Sequence, residues 1–143
     1  MTTAGSGVDG ALRRRAAAWP VARLGTVGAD GRPHLVPCCF ALDRDVAYSV
    51  VDHKPKRSTA LRRLDNIRAN PTVCLLVDHY EEDWSALWWV RLDGTARLLT
   101  EGPEHEGAIA LLRAKYAQYR ATPPSGTVVA IDVHSCRTWA AGP

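Results

Sequence analysis

Two strand-like runs separated only by Gly28-Ala29-Asp30-Gly31 limit what this chain can fold into more than any other feature. Val21 to Val27 has strand character, and Arg32 to Leu42 returns as a second strand. The Asp-Gly pair between them supplies the backbone conformations that tight hairpins require. So short a connection joins antiparallel neighbours, because parallel strands need a long crossover. Pro33 and Pro37 interrupt the second run, and proline cannot donate to a ladder, so Pro37 marks a bulge or an edge position. A further short turn, Asp43-Arg44-Asp45, leads into a third strand, Val46 to Val51.

The rest of the chain continues this pattern with helices added. Thr59 to Ala69 reads as a helix, since Ala60, Leu61, Leu64 and Ile67 recur at helical spacing. Asn70-Pro71 stops it. Thr72 to His79 is a fourth strand, apolar enough to be buried on both faces. After the acidic loop Tyr80 to Asp83, Trp84 to Leu99 gives a long fifth strand, broken at Asp93-Gly94 by a bulge. Pro103 begins a helix, with Glu104 and Glu106 near its positive dipole end and Ile109, Leu112, Tyr116 and Tyr119 on one face. Pro123 to Gly126 is a linker turn, and Thr127 to Val133 is a sixth strand. At the front, residues 1–8 read as disordered, and Asp9 to Trp19 as a short helix with Leu12, Ala16 and Trp19 on one face, ended by Pro20. Residues 1–20 thus form an N-terminal extension with a short helix, and residues 21–143 a single domain. The fold class expected is mainly β (α+β): a small barrel of about six antiparallel strands with two or three flanking helices.

Length and composition agree with one soluble domain: 143 residues, 46% hydrophobic and 23% charged, with a net charge of +3. No apolar run approaches the ~18 residues of a membrane span, and the apolar stretch after Arg13-Arg14-Arg15 is too short for a signal-peptide core. The four cysteines, Cys38, Cys39, Cys74 and Cys136, lack the spacing of a metal site and read as free thiols, as in a reducing cytosol. No metal is expected, and the cytoplasm is the expected compartment.

Charge is not evenly spread. From Lys54 to Arg68 six cations stand against one anion. Lys54-Pro55-Lys56-Arg57 lies between the third strand and the next helix, where a helix N-terminus offers unpaired N–H groups and a positive dipole end. That combination suits phosphate or another anion. It is too short, and too poor in interleaved aromatics, for nucleic acid.

The run Arg23-Leu24-Gly25-Thr26-Val27 through Asp30-Gly31-Arg32-Pro33-His34 resembles the opening of the pyridoxamine 5′-phosphate oxidase-like (PPOX class) proteins, split β-barrels that bind flavins. The likeness continues through Pro37, Tyr48, the basic helix start and Asn66-Ile67-Arg68-Ala69-Asn70-Pro71. Val77-Asp78-His79-Tyr80 to Trp84, then Leu87-Trp88-Trp89-Val90-Arg91-Leu92-Asp93-Gly94, is similar to an actinobacterial subgroup that uses the deazaflavin coenzyme F-420 in place of FMN. Where FMN-type members carry a Ser-Arg-Lys-Gly sequence this chain has Lys54-Pro55-Lys56-Arg57, and Arg137 and Trp139 match the C-terminal basic and aromatic residues only loosely.

The resemblance implies a cytoplasmic homodimer with the cofactor at the subunit interface, acting as an F-420-dependent reductase. Hydride would pass from reduced F-420 to a small organic substrate with an activated double bond or a quinone. Lys54, Pro55, Lys56 and Arg57 would hold the anionic part of F-420, and Pro37, Cys38 and Val51 would face its ring. Trp88 and Trp89 point to opposite faces of one strand, one to the core and the other to coenzyme, substrate or partner subunit; Trp88 is assigned to the coenzyme. Hydride transfer needs no protein nucleophile, so no catalytic residue is assigned; His79 and Tyr80 are candidate proton donors at a strand end. The alternatives are an FMN-dependent oxidase or reductase on the same fold and a non-catalytic binder of F-420 or haem.

Overall fold

The computed structural model describes residues 7–51 and 58–142. In chain order these form α1 (Gly7–Ala17), β1 (Ala22–Val27), β2 (Pro33–Cys38), β3 (Ala41–Asp43), β4 (Val46–Val51), α2 (Ser58–Ala69), β5 (Thr72–His79), β6 (Trp88–Leu99), α3 (Pro103–Lys115), α4 (Ala117–Ala121) and β7 (Thr127–Ala140). A 3-10 turn, Trp84–Ala86, precedes β6, capped by the Asp83 carboxylate, which accepts from the Ser85 N–H. The strands form one seven-stranded sheet in the order β2-β1-β5-β6-β7-β4-β3. Every described pairing is antiparallel, as the short early turns required.

The sheet is built around the long β6–β7 ribbon. Residues 88–95 of β6 pair with β5 on one side, while residues 127–132 of β7 pair with β4 at the ribbon's other end. The two wings are therefore attached at opposite ends, which gives the split barrel. Between them the β6–β7 register shifts at Asp93/Gly94, the expected bulge. Gly94 is required there: a Cβ would run into the Asp132 carbonyl and meet the Ile131 Cγ2 at 2.9 Å.

Two apolar clusters fill the fold. The larger packs Leu12 and Ala16 of α1 and Leu64 and Ile67 of α2 against Leu24, Leu75, Val90 and their neighbours. The smaller packs Ala108 and Leu112 of α3 against Tyr48, Val50 and Val128. Each fully buried leucine contributes about 1.5–3 kcal/mol relative to exposure.

Several boundaries differ from the sequence reading. Seven strands replace about six, because the second run divides into β2 and β3 at Cys39-Phe40, where Phe40 turns fully inward. β7 continues past Val133 to Ala140, as β6 offers it a ladder along its whole length. β5 is buried on one face only, its residues alternating between buried and partly open. The helix from Pro103 breaks at Tyr116, whose extended backbone (φ −114°, ψ 121°) separates α3 from α4. Gly7 and Val8 belong to α1 rather than to a disordered start.

A charged network fastens α3 to the sheet. Arg97 of β6 donates to both carboxylate oxygens of Glu104, at 2.8 and 2.9 Å, and to both of Asp132, at 2.7 and 3.0 Å. Tyr48 Oη donates to Glu104 at 2.8 Å. The Arg97 hydrogen bonds, then that of Tyr48, hold the Glu104 carboxyl down at about 2, while burial and then Glu104 push the Tyr48 hydroxyl up to about 12. Glu104 therefore stabilises the fold above the ordinary carboxylate range and loses that contribution as pH falls toward 2. The ion pair is partly exposed, so Glu104→Gln should cost about 1 kcal/mol or less at neutral pH. Urea melts should show the wild-type advantage at pH 7 shrinking by pH 3; an advantage that grows in acid would contradict this origin.

Candidate cofactor site

The basic tetrapeptide, Lys54 to Arg57, lies within residues 52–57, outside the described residues; the elements that flank it in sequence are described. Val51 ends β4 on one side of the segment and α2 begins on the other. Cys38, at the end of β2, packs half-buried against the same core cluster that contains Val51. Pro37, next to it, is exposed on the edge strand, where its missing N–H costs no ladder bond. Cys38 and Val51 thus belong to one core cluster, while Pro37 is exposed.

Charge converges on this corner from α2 and α3. Arg63 and Lys115 are both within electrostatic reach of the Cys38 sulfur. Burial pushes the Cys38 thiol up, and the Ser49 hydroxyl and then Arg63 pull it partly back. Cys38 is a protonated thiol at neutral pH rather than a nucleophile. The Ser49 hydroxyl lies near that sulfur but forms no hydrogen bond of ordinary geometry. Ser49 Oγ and Arg63 Nε are both buried without a partner among the described residues. Native folds rarely leave such groups unmade, since each costs ~1–3 kcal/mol. A ligand with acceptor oxygens at this corner would satisfy them.

Lys115 has a structural part in the same corner. Its Nζ donates to the Phe40 carbonyl at 2.8 Å and sits 3.6 Å from the centre of the Phe40 ring. Burial pushes its pKa down to about 8, which leaves it mostly protonated at neutral pH. Tyr116 Oη accepts from the Phe40 N–H at 3.0 Å and donates to the Pro20 carbonyl at 2.9 Å. Together they hold the β2–β3 turn, and with it Cys38, against the end of α3.

Trp88, assigned to the coenzyme, is placed in the core, while His79 and Tyr80 stand at the end of β5, the strand end at which the sequence put them. Trp88 is only 2% exposed; it packs edge-on against Trp19 at 5.0 Å with Arg15 over its ring at 5.8 Å. It is a core residue, and Trp89 takes the open face of β6. His79 is held by Glu81 Oε2 at 2.5 Å and by the edge of Trp19. Tyr80 is exposed at the far end of β5. Arg62 and Arg63, adjacent on α2, diverge by about 100°. Arg62 faces a separate polar cleft of about 430 Å³ with His34 and Asn66. Arg63 alone turns toward Cys38, which helical spacing could have suggested. Ser49 gave no signal, because a serine inside an apolar strand reads as ordinary core.

The geometry can be set beside known proteins. A family model described as pyridoxamine 5′-phosphate oxidase matches residues 8–140. A conserved hypothetical protein from Mycobacterium tuberculosis has a similar structure, with a TM-score of 0.74 at 18% identity over 98% of this chain and 89% of that one. An FAD-binding protein from Mesorhizobium loti gives 0.67 at 20% identity over 94% of each chain. HutZ, the heme storage protein from Vibrio cholerae, gives 0.71 at 15% identity over 92% of each. At these identities the likenesses establish the fold alone. No curated protein matches. Among the described residues no helix is long and apolar enough to cross a membrane, and no cluster of metal-ligating side chains occurs.

Proposed function

Because the chain belongs to the pyridoxamine 5′-phosphate oxidase family, we propose that it is an oxidoreductase that holds the deazaflavin coenzyme F-420 and serves a small organic acceptor. The observation that carries this reading is the pair of unpartnered buried polar atoms near Cys38, Ser49 Oγ and Arg63 Nε; they belong to the two elements, β4 and α2, that flank in sequence a segment with three cations. F-420 carries a phosphodiester and a polyglutamate tail, and the donors at this corner suit such an anion.

In this reading Lys54 and Lys56 act as point charges and Arg57 and Arg63 as forked donors. Pro55 fixes the backbone between the lysines. Pro37, Cys38 and Val51 wall the ring side, and Cys38, kept as a thiol, adds an apolar surface rather than a nucleophile. Trp88 supports from the core, by fixing β6. When bound, the coenzyme supplies the hydride chemistry; the chain supplies position and exclusion of water. The acceptor is a double bond activated by a carbonyl, or a quinone. Two chains form a homodimer with the coenzyme between them.

FMN in the same place is the second reading, favoured by the likeness to an FAD-binding protein, and haem binding without turnover is the third, favoured by the likeness to a heme storage protein. Titration of the purified protein with F-420, FMN and haemin separates them. F-420 should bind saturably and at least tenfold more tightly than FMN, and the protein should accelerate oxidation of reduced F-420 by at least one quinone or enone. Tight retention of FMN, or haemin binding with no turnover of reduced F-420, would replace the proposal.

A further inference from the structure

The side of the sheet that carries α2 holds a polar cleft at the tip of the β1–β2 hairpin. His34 of β2 stands directly across from the buried Thr26 of β1, so the two side chains share a face. Asn66 of α2 donates from its amide nitrogen to Thr26 Oγ1 at 3.0 Å, which fastens the helix over this pair. Arg62 lies one helical turn before Asn66 and on the same helix face, so it is held over the same hairpin. Arg32 comes from the hairpin itself, two residues before His34. Arg32, His34, Arg62 and Asn66 line one cleft of about 430 Å³, with Asp30 on its wall.

The charge of this cleft is unbalanced. Arg62 has no ion pair among the described residues. Arg32 has only Asp30, whose Oδ2 lies 3.8 Å from its Nε, beyond hydrogen-bond reach. Asp30 Oδ1 is already engaged, accepting from the Arg32 backbone N–H at 3.0 Å. Two guanidiniums thus stand against one carboxylate. His34 gives an independent sign: its Nδ1 is buried and has no hydrogen-bond partner among the described residues. Native folds rarely leave such an atom unmade.

We propose that this cleft binds the phosphate group of a small hydroxylated phosphate ester. The Arg32 and Arg62 guanidiniums, planar forks suited to phosphate, hold its oxygens. His34, with a proton on Nδ1, donates to a further oxygen. The Asp30 carboxylate and the Asn66 amide oxygen accept from the hydroxyls of the ester. The volume lies within the range of small-molecule sites and exceeds what free phosphate needs. The site does not depend on the coenzyme proposal, since Arg63, not Arg62, turns toward Cys38.

Calorimetric titration of the full chain at low ionic strength tests this, because salt screens exposed charges. Ribose 5-phosphate should bind at one saturable site per chain, and ribose, which lacks the phosphate, at least tenfold more weakly. Inorganic phosphate should compete, but more weakly than the ester. Arg32→Ala and Arg62→Ala should each weaken ribose 5-phosphate tenfold or more, with thermal melts confirming that both variants fold, and Arg62→Lys should retain part of the affinity. Unchanged affinity in Arg62→Ala, equal binding of ribose and its phosphate, or no saturable binding would overturn the proposal. Inorganic phosphate as tight as the ester would overturn the assignment to an ester. Displacement of ribose 5-phosphate by F-420 would give the cleft to the coenzyme instead.

Discussion

Gly94→Ala should destabilise the protein by about 3 kcal/mol or more, at the upper end of what overpacking costs. A Cβ on Gly94 meets backbone, not a side chain that can swing away: the Asp132 carbonyl oxygen lies inside contact distance and its carbon at 2.9 Å. Relief would require β6 and β7 to separate where the register shifts, and that ladder is the part of the sheet that joins its two wings. For a domain of this size the loss corresponds to a fall in Tm of roughly 6–12 °C. Chemical denaturation of the purified variant measures it. A variant within ~1 kcal/mol of wild type would mean that the bulge is tolerant and that Gly94 does not set the bend. Gly28→Ala is a useful control: there the obstacle is the end of the Asn66 side chain, which can move.

The second large effect concerns coenzyme binding. Lys56→Ala should weaken F-420 by about tenfold, ~1.4 kcal/mol, through loss of one charge-assisted contact. Arg63→Ala should do the same from the other wall, because its buried Nε is left unmade in the free protein and would be satisfied by the ligand. Combined, the two should approach a hundredfold, ~2.8 kcal/mol, if they act on separate oxygens. Fluorescence titration at low salt with both single variants and the double variant gives the answer. Unchanged affinity in Arg63→Ala would remove the structural support for the site even if Lys56 still mattered. Arg62→Ala, on the exposed neighbouring face, should have a much smaller effect.

Much of the architecture was legible in local chemistry. The Asp30-Gly31 turn, with Gly31 at φ +82°, demanded an antiparallel pair, and that pair formed in the register the turn allows. Asp93-Gly94 announced a bulge because a glycine in an otherwise regular strand marks close backbone approach. The helical spacing of Leu64 and Ile67 placed α2 on the core. What was missed depends on contacts remote in sequence. Nothing near Tyr116 says that its hydroxyl will bond the backbone around Phe40, 76 residues away, and so break a helix that its periodicity would continue. Nothing near Val133 says that β7 will run on beside β6. Trp88 and Trp89 are equivalent in sequence, and only the helix that packs on one face decided which was core. The walls of the candidate site obey the same division: the cations were visible in the chain, but Ser49 and Arg63 acquired meaning only when burial stripped them of partners.

Alternation, turn residues and local charge were determined by the amino-acid order alone, since each arises from neighbours within a few bonds: antiparallel strands, a handful of helices, a positive corner between β4 and α2. Which faces turn inward, where the ribbon bends, and which polar atoms lose water were decided only in three dimensions. Those outcomes depend on packing between segments far apart along the chain, and their free energies do not exist until the segments meet.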